Sequence, residues 1–325
     1  MKGLNSMFPT RHHVNLSALV VTFLLAGSAG AANVVATIKP IHSLVSAVMA
    51  GAGEPHLIVR GPRSPHTYNL RPSDAAALRD AAVVFWVGPN LEVFLAAPLK
   101  TIADSAKIVA LGSAPGVQHL PMRERGSFEA HDHDEFEAHG HDEETPNEHA
   151  RSAVDPHTWL DPLNAKAMLR AIAGALVTID PDNADIYRAN ENTMARRLDV
   201  LVADVDAQLS NVRGRPFIVF HDAYHYFERR FRIEAAASIT IKADIMPGAR
   251  RLVDIRDKIR TLGPTCVFSE PQFDPRLVQV VTEGVYAGRG ILDPLGTALN
   301  EGPDLYEMLI RDMAATLKEC LASMR

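Results

Sequence analysis

Short apolar runs alternate with segments of helical spacing along the chain after residue 33. The runs are rich in β-branched residues and end at proline, glycine or polar positions, which is typical of buried strands. Strands are predicted at residues 34–40, 56–61, 82–88 and 106–112. Helices are predicted between them at 41–51, 72–81 (with Ser73 as the expected N-cap) and 90–103. This alternation predicts a parallel sheet with helices on both faces.

The alternation resumes after two long amphipathic segments. Residues 163–179 predict one helix, and residues 183–212 predict a second of about 30 residues, or roughly 45 Å. A helix of that length is typical of a strut between lobes. Beyond it, strands are predicted at 215–222, 264–273 and 288–296, and helices at 223–231, 243–263, 275–285 and 303–324. We therefore predict an α/β fold of two lobes, each a parallel sheet flanked by helices, joined by one long rigid helix.

The first residues are expected to be a targeting segment. Lys2 and Arg11 precede an apolar run that ends in small residues, which is typical of a secretory signal. We predict a signal at 1–32, an N-terminal lobe at 33–182, a linking helix at 183–212 and a C-terminal lobe at 213–325. No cysteine lies near the cleavage region, and no later run is long enough to span a membrane. The mature protein is expected to be exported, soluble and without a lipid anchor.

One acidic stretch interrupts the N-terminal lobe. From about residue 118 to 152 apolar periodicity disappears, which predicts a disordered loop. Its centre, HDHDEFEAHGHDEETPNEH at 131–149, holds five histidines and eight of the chain's 39 acidic residues. Without Lys2 and Arg11 the chain retains 31 basic residues, which balance the remaining 31 acidic ones. The stretch therefore accounts for the whole net charge of the mature chain. The sequence has no basic patch rich in aromatic residues, which excludes nucleic acid as a partner.

Three histidines outside this stretch share a structural context. His66 in SPHTYNLRPSD lies between a strand and a helix, His157 in DPHTWLDP precedes a helix, and His221 in VFHDAY ends a strand. Ligands of open α/β sheets bind beyond the carboxyl ends of the strands, so we expect the three imidazoles to converge. Asp293 in ILDPLG is a candidate fourth ligand. Such a set suits Zn²⁺, whereas Mn²⁺ favours more oxygen. Capping or surface histidines are the alternative.

The chain resembles the periplasmic zinc-binding component of ABC-type zinc importers. The matching stretches run in order over nearly the whole mature chain: SPHTYNLRPSD, FWVGPNLEVFL, DPHTWLDP, PFIVFHDAYHYFE, PGARRLVDIRDKI, FSEPQFDPRL and GRGILDPLG. The resemblance implies two α/β lobes joined by a rigid helix, zinc as the bound ion and a periplasmic location. It also implies a membrane permease of an ABC transporter as the partner, and we expect a monomer.

The resemblance also implies site residues. Its zinc ligands carry over to His66, His157 and His221, and relatives that bind manganese, with some that bind zinc, use a carboxylate near Asp293. Some relatives have a carboxylate before the first ligand, where this chain has Pro65, so the fourth ligand is expected to be Asp293 or water. The acidic loop marks zinc importers, and we expect weak accessory binding by its histidines, which are His131, His133, His139, His141 and His149.

Two cysteines are expected to pair. Export favours a disulfide between Cys266 and Cys320, which the resemblance also implies, and two buried free thiols are the alternative. Two other residues are expected near the metal. Glu270 is placed to accept a hydrogen bond from a ligand histidine. His225, four residues after His221, would either share the metal, tune the site or face solvent.

Two other functions remain open at this stage. Three histidines with an open fourth position are also the geometry of a zinc hydrolase, although the chain has no H-E-x-x-H motif. If Asp293 fills the fourth position, no place is left for an activated water. A manganese- or iron-binding transport relative is the other alternative, and His221 argues against it because a harder ion would favour a carboxylate there.

Overall fold

The structure, a computed structural model, describes residues 32–123, 154–240, 243 and 245–324. Residues 1–31 of the predicted signal lie outside this range, and so do the five histidines of the acidic stretch: His131, His133, His139, His141 and His149. Among the described residues, no helix is both long and apolar enough to cross a membrane.

The N-terminal lobe is built on a four-stranded parallel sheet. Its strands are β1 (Val34–Ala36), β2 (His56–Leu57), β3 (Val83–Trp86) and β4 (Lys107–Ala110). They lie in the order β2-β1-β3-β4, with Val35 of β1 opposite both His56 and Val84. The helices of this half are α1 (Lys39–Met49), α2 (Pro72–Arg79) and α3 (Pro98–Thr101). The two central strands are buried over their whole length, because helices cover both faces.

Two local predictions in this half are wrong. Helix α2 begins at Pro72, so Ser73 lies inside it, and Arg71 occupies the N-cap position. Proline favours the first helical position because its φ is already helical and its missing N–H needs no partner. The helix predicted at 90–103 is instead a 3₁₀ turn at Val93–Leu95 followed by the four-residue α3. Pro98, at the start of α3, lacks the N–H that a continuous helix through it would require.

Two long helices follow the first sheet along the chain. Helix α4 spans Pro162–Ile179 and is followed by α5, the 26-residue helix Ala184–Leu209, about 39 Å long. Short 3₁₀ turns at Pro181–Asn183 and Ser210–Val212 extend α5 at both ends. The buried residues of α5 recur at helical spacing along one face: Tyr187, Met194, Leu198, Leu201, Val205 and Leu209. That apolar face packs against α1, α4 and α9, so the linking helix is part of the core.

The second sheet is also parallel. Its strands are β5 (Phe217–Val219), β6 (Ala235–Ser238), β7 (Thr265–Ser269) and β8 (Ala287–Ile291), in the order β6-β5-β7-β8. Its helices are α6 (His225–Phe231), α7 (Ala249–Leu262), α8 (Arg276–Thr282) and α9 (Leu305–Ser323). The predicted two-lobed α/β architecture is confirmed. Strand β6 has no counterpart among the predicted elements, because its sequence AAAS has little intrinsic β-propensity and pairing with β5 determines its conformation.

Hydrogen bonds join the two halves beside the sheet edges. Lys39 Nζ at the start of α1 donates to the carbonyl oxygens of Thr297 and Leu299, at 3.2 and 2.5 Å. The Trp159 indole donates to Pro294 O at 2.9 Å, and the Tyr306 hydroxyl donates to Trp159 O at 2.6 Å. The side chains of Lys39, Trp159 and Tyr306 are buried, and their hydrogen bonds restrict movement between the halves.

The predicted disulfide is confirmed. Cys266 of β7 is bonded to Cys320 of α9, closing a sequence separation of 54 residues. Gly288 on the neighbouring strand β8 leaves room for the bridge, since a Cβ at that position would lie 2.6 Å from Cys320 Sγ. The bridge therefore fixes the C-terminal helix to the second sheet.

Replacing both cysteines, in the variant Cys266→Ser with Cys320→Ser, is expected to lower stability by roughly 4 kcal/mol, because the unfolded chain regains the entropy of an open loop. The melting temperature should fall by roughly 8 °C or more in differential scanning calorimetry. Reduced wild-type protein is the matched control and should melt with the double variant. Equal melting of the oxidised and reduced wild type would contradict a stabilising bridge.

Candidate metal centre

Three histidines converge beyond the carboxyl ends of the strands. His66 lies in the irregular segment between β2 and α2, His157 precedes the 3₁₀ turn Thr158–Leu160, and His221 follows β5. His157 Nε2 lies 3.2 Å from His66 Nε2 and 3.4 Å from His221 Nε2. Within the described part of the chain, these residues form the one group of three or more His, Cys, Asp or Glu whose ligand atoms all lie within 4.8 Å of one another.

Two of the three nitrogen separations match a single tetrahedral ion. Two ligands about 2.05 Å from a zinc ion at the tetrahedral angle lie about 3.3 Å apart. The two short separations at His157 bracket that value. The donor set consists of three imidazole nitrogens, which suits Zn²⁺ and leaves a fourth coordination position for another group.

Buried carboxylates orient two of the three rings. His157 Nδ1 donates to Asp155 Oδ1 at 2.7 Å, and His221 Nδ1 donates to Glu270 Oε1 at 2.7 Å. A proton fixed on Nδ1 leaves the Nε2 lone pair of the neutral ring directed at the centre. Asp155, Glu270, His157 and His221 are each at most 6% exposed, so water does not compete for these bonds.

The three rings differ in their proton affinity. Burial, together with the neighbouring His157 and His221, lowers the pKa of His66 to about 2. Burial also lowers the pKa of His157 well below its ordinary value. Burial opposes protonation of His221 too, but the Glu270 carboxylate, with Asp222 and Asp155, outweighs it and raises the pKa of His221. Two of the three rings are therefore neutral at physiological pH, and His221 is the ring whose protonation competes most with a metal ion.

Asp293, the expected fourth ligand, lies outside this group of three. Its Oδ2 accepts hydrogen bonds from the Thr297 N–H at 2.5 Å and the Thr297 hydroxyl at 2.6 Å. Its Oδ1 accepts from the Leu295 N–H at 3.1 Å and Gln272 Nε2 at 3.2 Å. The carboxylate is thus engaged in the turn that follows β8.

The two residues expected beside the ligands occupy different positions. Glu270 accepts the hydrogen bond from the His221 ring, and the backbone N–H of His221 also donates to Glu270 Oε1, at 3.4 Å. His225 begins α6, and its Nδ1 is 3.9 Å from Asp155 Oδ2, beyond hydrogen-bonding distance. Burial lowers the pKa of His225, followed by repulsion from Arg123. His225 therefore lies next to the carboxylate that orients His157 rather than among the three converging nitrogens.

Two functional features escaped the sequence analysis. Asp155 is only two residues before His157 in DPHTWLDP, and that spacing is the signal that would have indicated it. Arg123 forms ion pairs with Asp222 and Glu228, donating from Nε to Asp222 Oδ2 and from Nη1 to Glu228 Oε2, both at 2.9 Å. No local sequence pattern predicts these two ion pairs, because Asp222 and Glu228 lie about 100 positions from Arg123 in the sequence.

A cavity of about 360 Å³ opens onto the centre. All three histidines line it, together with residues from both sides of the acidic stretch, Arg123 and Val154 among them. A β-bridge between Pro121 and Val154 joins the two described ends of that stretch. The base of the acidic stretch is therefore fixed at the mouth of the cavity.

Comparison with known families and sequences gives a consistent result. The model of the family described as "Zinc-uptake complex component A periplasmic" (ZnuA) matches residues 34–320. Among curated proteins, the high-affinity zinc uptake system protein ZnuA of Brucella suis is 48% identical, over 99% of this chain and all of the relative. The protein of the same name from Paracoccus denitrificans is 36% identical, over 95% of this chain and 97% of the relative.

Solved structures share the fold. A crystal structure of ZnuA superimposes with a TM-score of 0.73 at 24% identity, covering 90% of this chain and 99% of that one. A deletion mutant of ZnuA with zinc bound gives 0.72 at 25% identity, covering 89% and 98%. The periplasmic zinc-binding protein TroA of Treponema pallidum gives 0.73 at 18% identity, again covering 89% and 98%.

Zinc affinity is expected to fall by about one order of magnitude per pH unit below the pKa of His221. A proton on that ring competes with the metal, whereas His66 and His157 remain neutral over the same range. Competition with a chromophoric chelator between pH 8 and 5.5 measures the slope. The Glu270→Gln variant should move the onset to lower pH, because the carboxylate that raises the pKa is gone. A slope near three would mean that all three rings are protonated together.

Proposed function

The chain belongs to the ZnuA family of periplasmic zinc-uptake components, and on that premise we propose that it binds Zn²⁺ with high affinity through His66, His157 and His221. It then delivers the ion to the membrane permease of an ABC importer. The observation that carries this proposal is the convergence of three Nε2 atoms within 4.8 Å of one another. Carboxylates behind two of the rings and the tetrahedral spacing support zinc as the ion.

The fourth ligand in this proposal is a water molecule. The oxygens of Asp293 already accept four hydrogen bonds in the turn after β8, and ligation would require it to give up at least one of them. Pro65, which precedes His66, has no donor atom to offer. A water ligand also suits an ion that must be released again, because it exchanges without movement of the protein.

The relatives support an uptake role in the periplasm. Proteins named as high-affinity zinc uptake system components match over nearly the whole chain, and the family description is periplasmic. We propose that residues 1–32 are the export signal, that the mature protein is a monomer without a lipid anchor, and that it meets its permease at the membrane surface.

We propose that the acidic stretch is a weak accessory binding site that collects zinc. Residues 131–149 contain eight acidic residues and five histidines, and the described residues on either side of the stretch, Arg123 and Val154, line the cavity at the histidines. Ligands that are not held in a fixed geometry bind an ion more weakly, because binding must order them first. The stretch would therefore raise the local zinc concentration without providing the tight site.

The alternatives are less well supported. The family and its curated relatives are metal-binding transport proteins and not enzymes, which removes the zinc-hydrolase hypothesis. A manganese-binding solute-binding protein of Pseudomonas aeruginosa shares the fold at 22% identity and a TM-score of 0.73, so fold alone does not select the metal. The ligand set does favour zinc, because three nitrogens suit Zn²⁺ better than Mn²⁺.

The double variant His66→Ala with His157→Ala is expected to abolish tight zinc binding, whereas deletion of 131–149 should leave one tight site. Two of the three nitrogen ligands are lost in the first protein, and none of the three is lost in the second. Isothermal titration of the metal-free proteins with zinc measures both the number and the strength of the sites.

The wild-type protein, titrated under the same conditions, is the reference for both variants. Any sites that the deletion removes should be the weak ones. If the deletion eliminated the tight site and the double variant retained it, the proposed assignment of ligands would be wrong.

A further inference from the structure

The three histidines are not held equally. Carboxylates accept hydrogen bonds from Nδ1 of His157 and of His221, at 2.7 Å in both cases. The side chain of His66 makes one hydrogen-bond-length contact within the described residues, from Nε2 to His157 Nε2, and its Nδ1 has no partner there. A metal ion at the centre would take the place of that single contact, leaving the ring oriented by the ion alone.

The packing around the three histidine rings shows the same difference between His66 and the other two. The His157 ring packs against Trp159 at 5.3 Å between centroids, and the His221 ring packs against Phe273 at 5.4 Å. Among the residues that the structure describes, the aromatic contacts of His66 are with the other two histidines. His157 and His221 are 5% and 6% exposed, whereas His66 is partly exposed.

The backbone shows the same asymmetry. The amides of His157 and His221 donate to the same carboxylates that hold their rings, at 3.0 and 3.4 Å. His66 lies in the long irregular segment between β2 and α2, where its amide donates to the Ser64 hydroxyl at 3.3 Å. Both the ring and the main chain of His66 are therefore less restrained than those of the other two ligands.

We propose that His66 is the exchangeable ligand of the centre, the last to bind an arriving zinc ion and the first to leave when the ion is released. This inference rests on the proposed function and adds an order of events to it. Turning His157 or His221 away from the ion would break the hydrogen bond from its Nδ1 to a buried carboxylate. His66 can turn away without breaking any other hydrogen bond of its side chain. His157 and His221 remain as a preformed pair that holds the ion during transfer.

Chemical rescue tests the proposal directly. The variants His66→Gly, His157→Gly and His221→Gly are titrated with zinc in the absence and presence of about 10 mM imidazole. Free imidazole should restore at least tenfold in affinity to His66→Gly, because its partners keep their geometry. It should restore much less to the other two variants, in which a buried carboxylate has lost its ring. Equal rescue of all three would overturn the proposal.

Dissociation kinetics provide a second test that does not require removal of a ligand. Zinc-loaded Asp155→Asn and Glu270→Gln are mixed with excess chelator in a stopped-flow instrument. Each should release zinc at least tenfold faster than wild type, because a ring that was fixed becomes as free as His66. Asp206→Asn is the matched control, since Asp206 pairs with Arg213 and Arg232, away from the histidines. Its release rate should equal that of wild type.

The outcomes of these experiments distinguish a failure of the proposed function from a failure of the proposed order of ligand exchange. Wild-type protein that does not bind zinc tightly in these titrations would refute the proposed function itself. Wild-type protein that binds tightly, with Asp155→Asn and Glu270→Gln releasing zinc at the wild-type rate, would leave the function intact and overturn the order of ligand exchange.

Discussion

The candidate metal centre depends on three imidazole nitrogens that are held close together, although the lone pairs of neutral rings repel one another. The Nε2 lone pairs of His157 and His221 face each other at 3.4 Å, because both Nδ1 atoms donate to buried carboxylates. Only a cation at the centre, or a proton on one ring, relieves that opposition. Burial lowers the pKa of His66, and the Glu270 carboxylate outweighs burial and raises the pKa of His221. Affinity for a metal ion is thus built into the fold before any ion arrives.

A rigid frame is needed to maintain this arrangement, since the three histidines come from both halves of the fold. The long helix α5 contributes an apolar face to the shared core, and Lys39, Trp159 and Tyr306 make hydrogen bonds between the halves. Arg123 adds a charged contact between the base of the acidic stretch and Asp222, the neighbour of His221. With the frame fixed in this way, release of the ion is easier to explain by movement of one ligand than by a wide opening of the two halves.

Much of this could be predicted from the sequence because it follows from periodicity. Alternating β-branched runs and amphipathic segments predicted both sheets and the long helix. The positions of His66 and His221 after strands, and of His157 in a turn before a helix, indicated one crevice. Strand β6 was not predicted because its pairing with β5, and not its amino-acid composition, determines its conformation. The helix predicted at 90–103 is interrupted for a local reason, the proline at position 98.

The side-chain network around the site was less predictable, because it depends on contacts distant in sequence. Spacing alone could not show that hydrogen bonds from Thr297 and Gln272 occupy Asp293. The most direct test of the account is anomalous diffraction at the zinc edge from crystals grown with one equivalent of zinc. The account predicts one strong peak about 2.0–2.1 Å from Nε2 of His66, His157 and His221. A peak elsewhere, with these three nitrogens left uncoordinated, would contradict it.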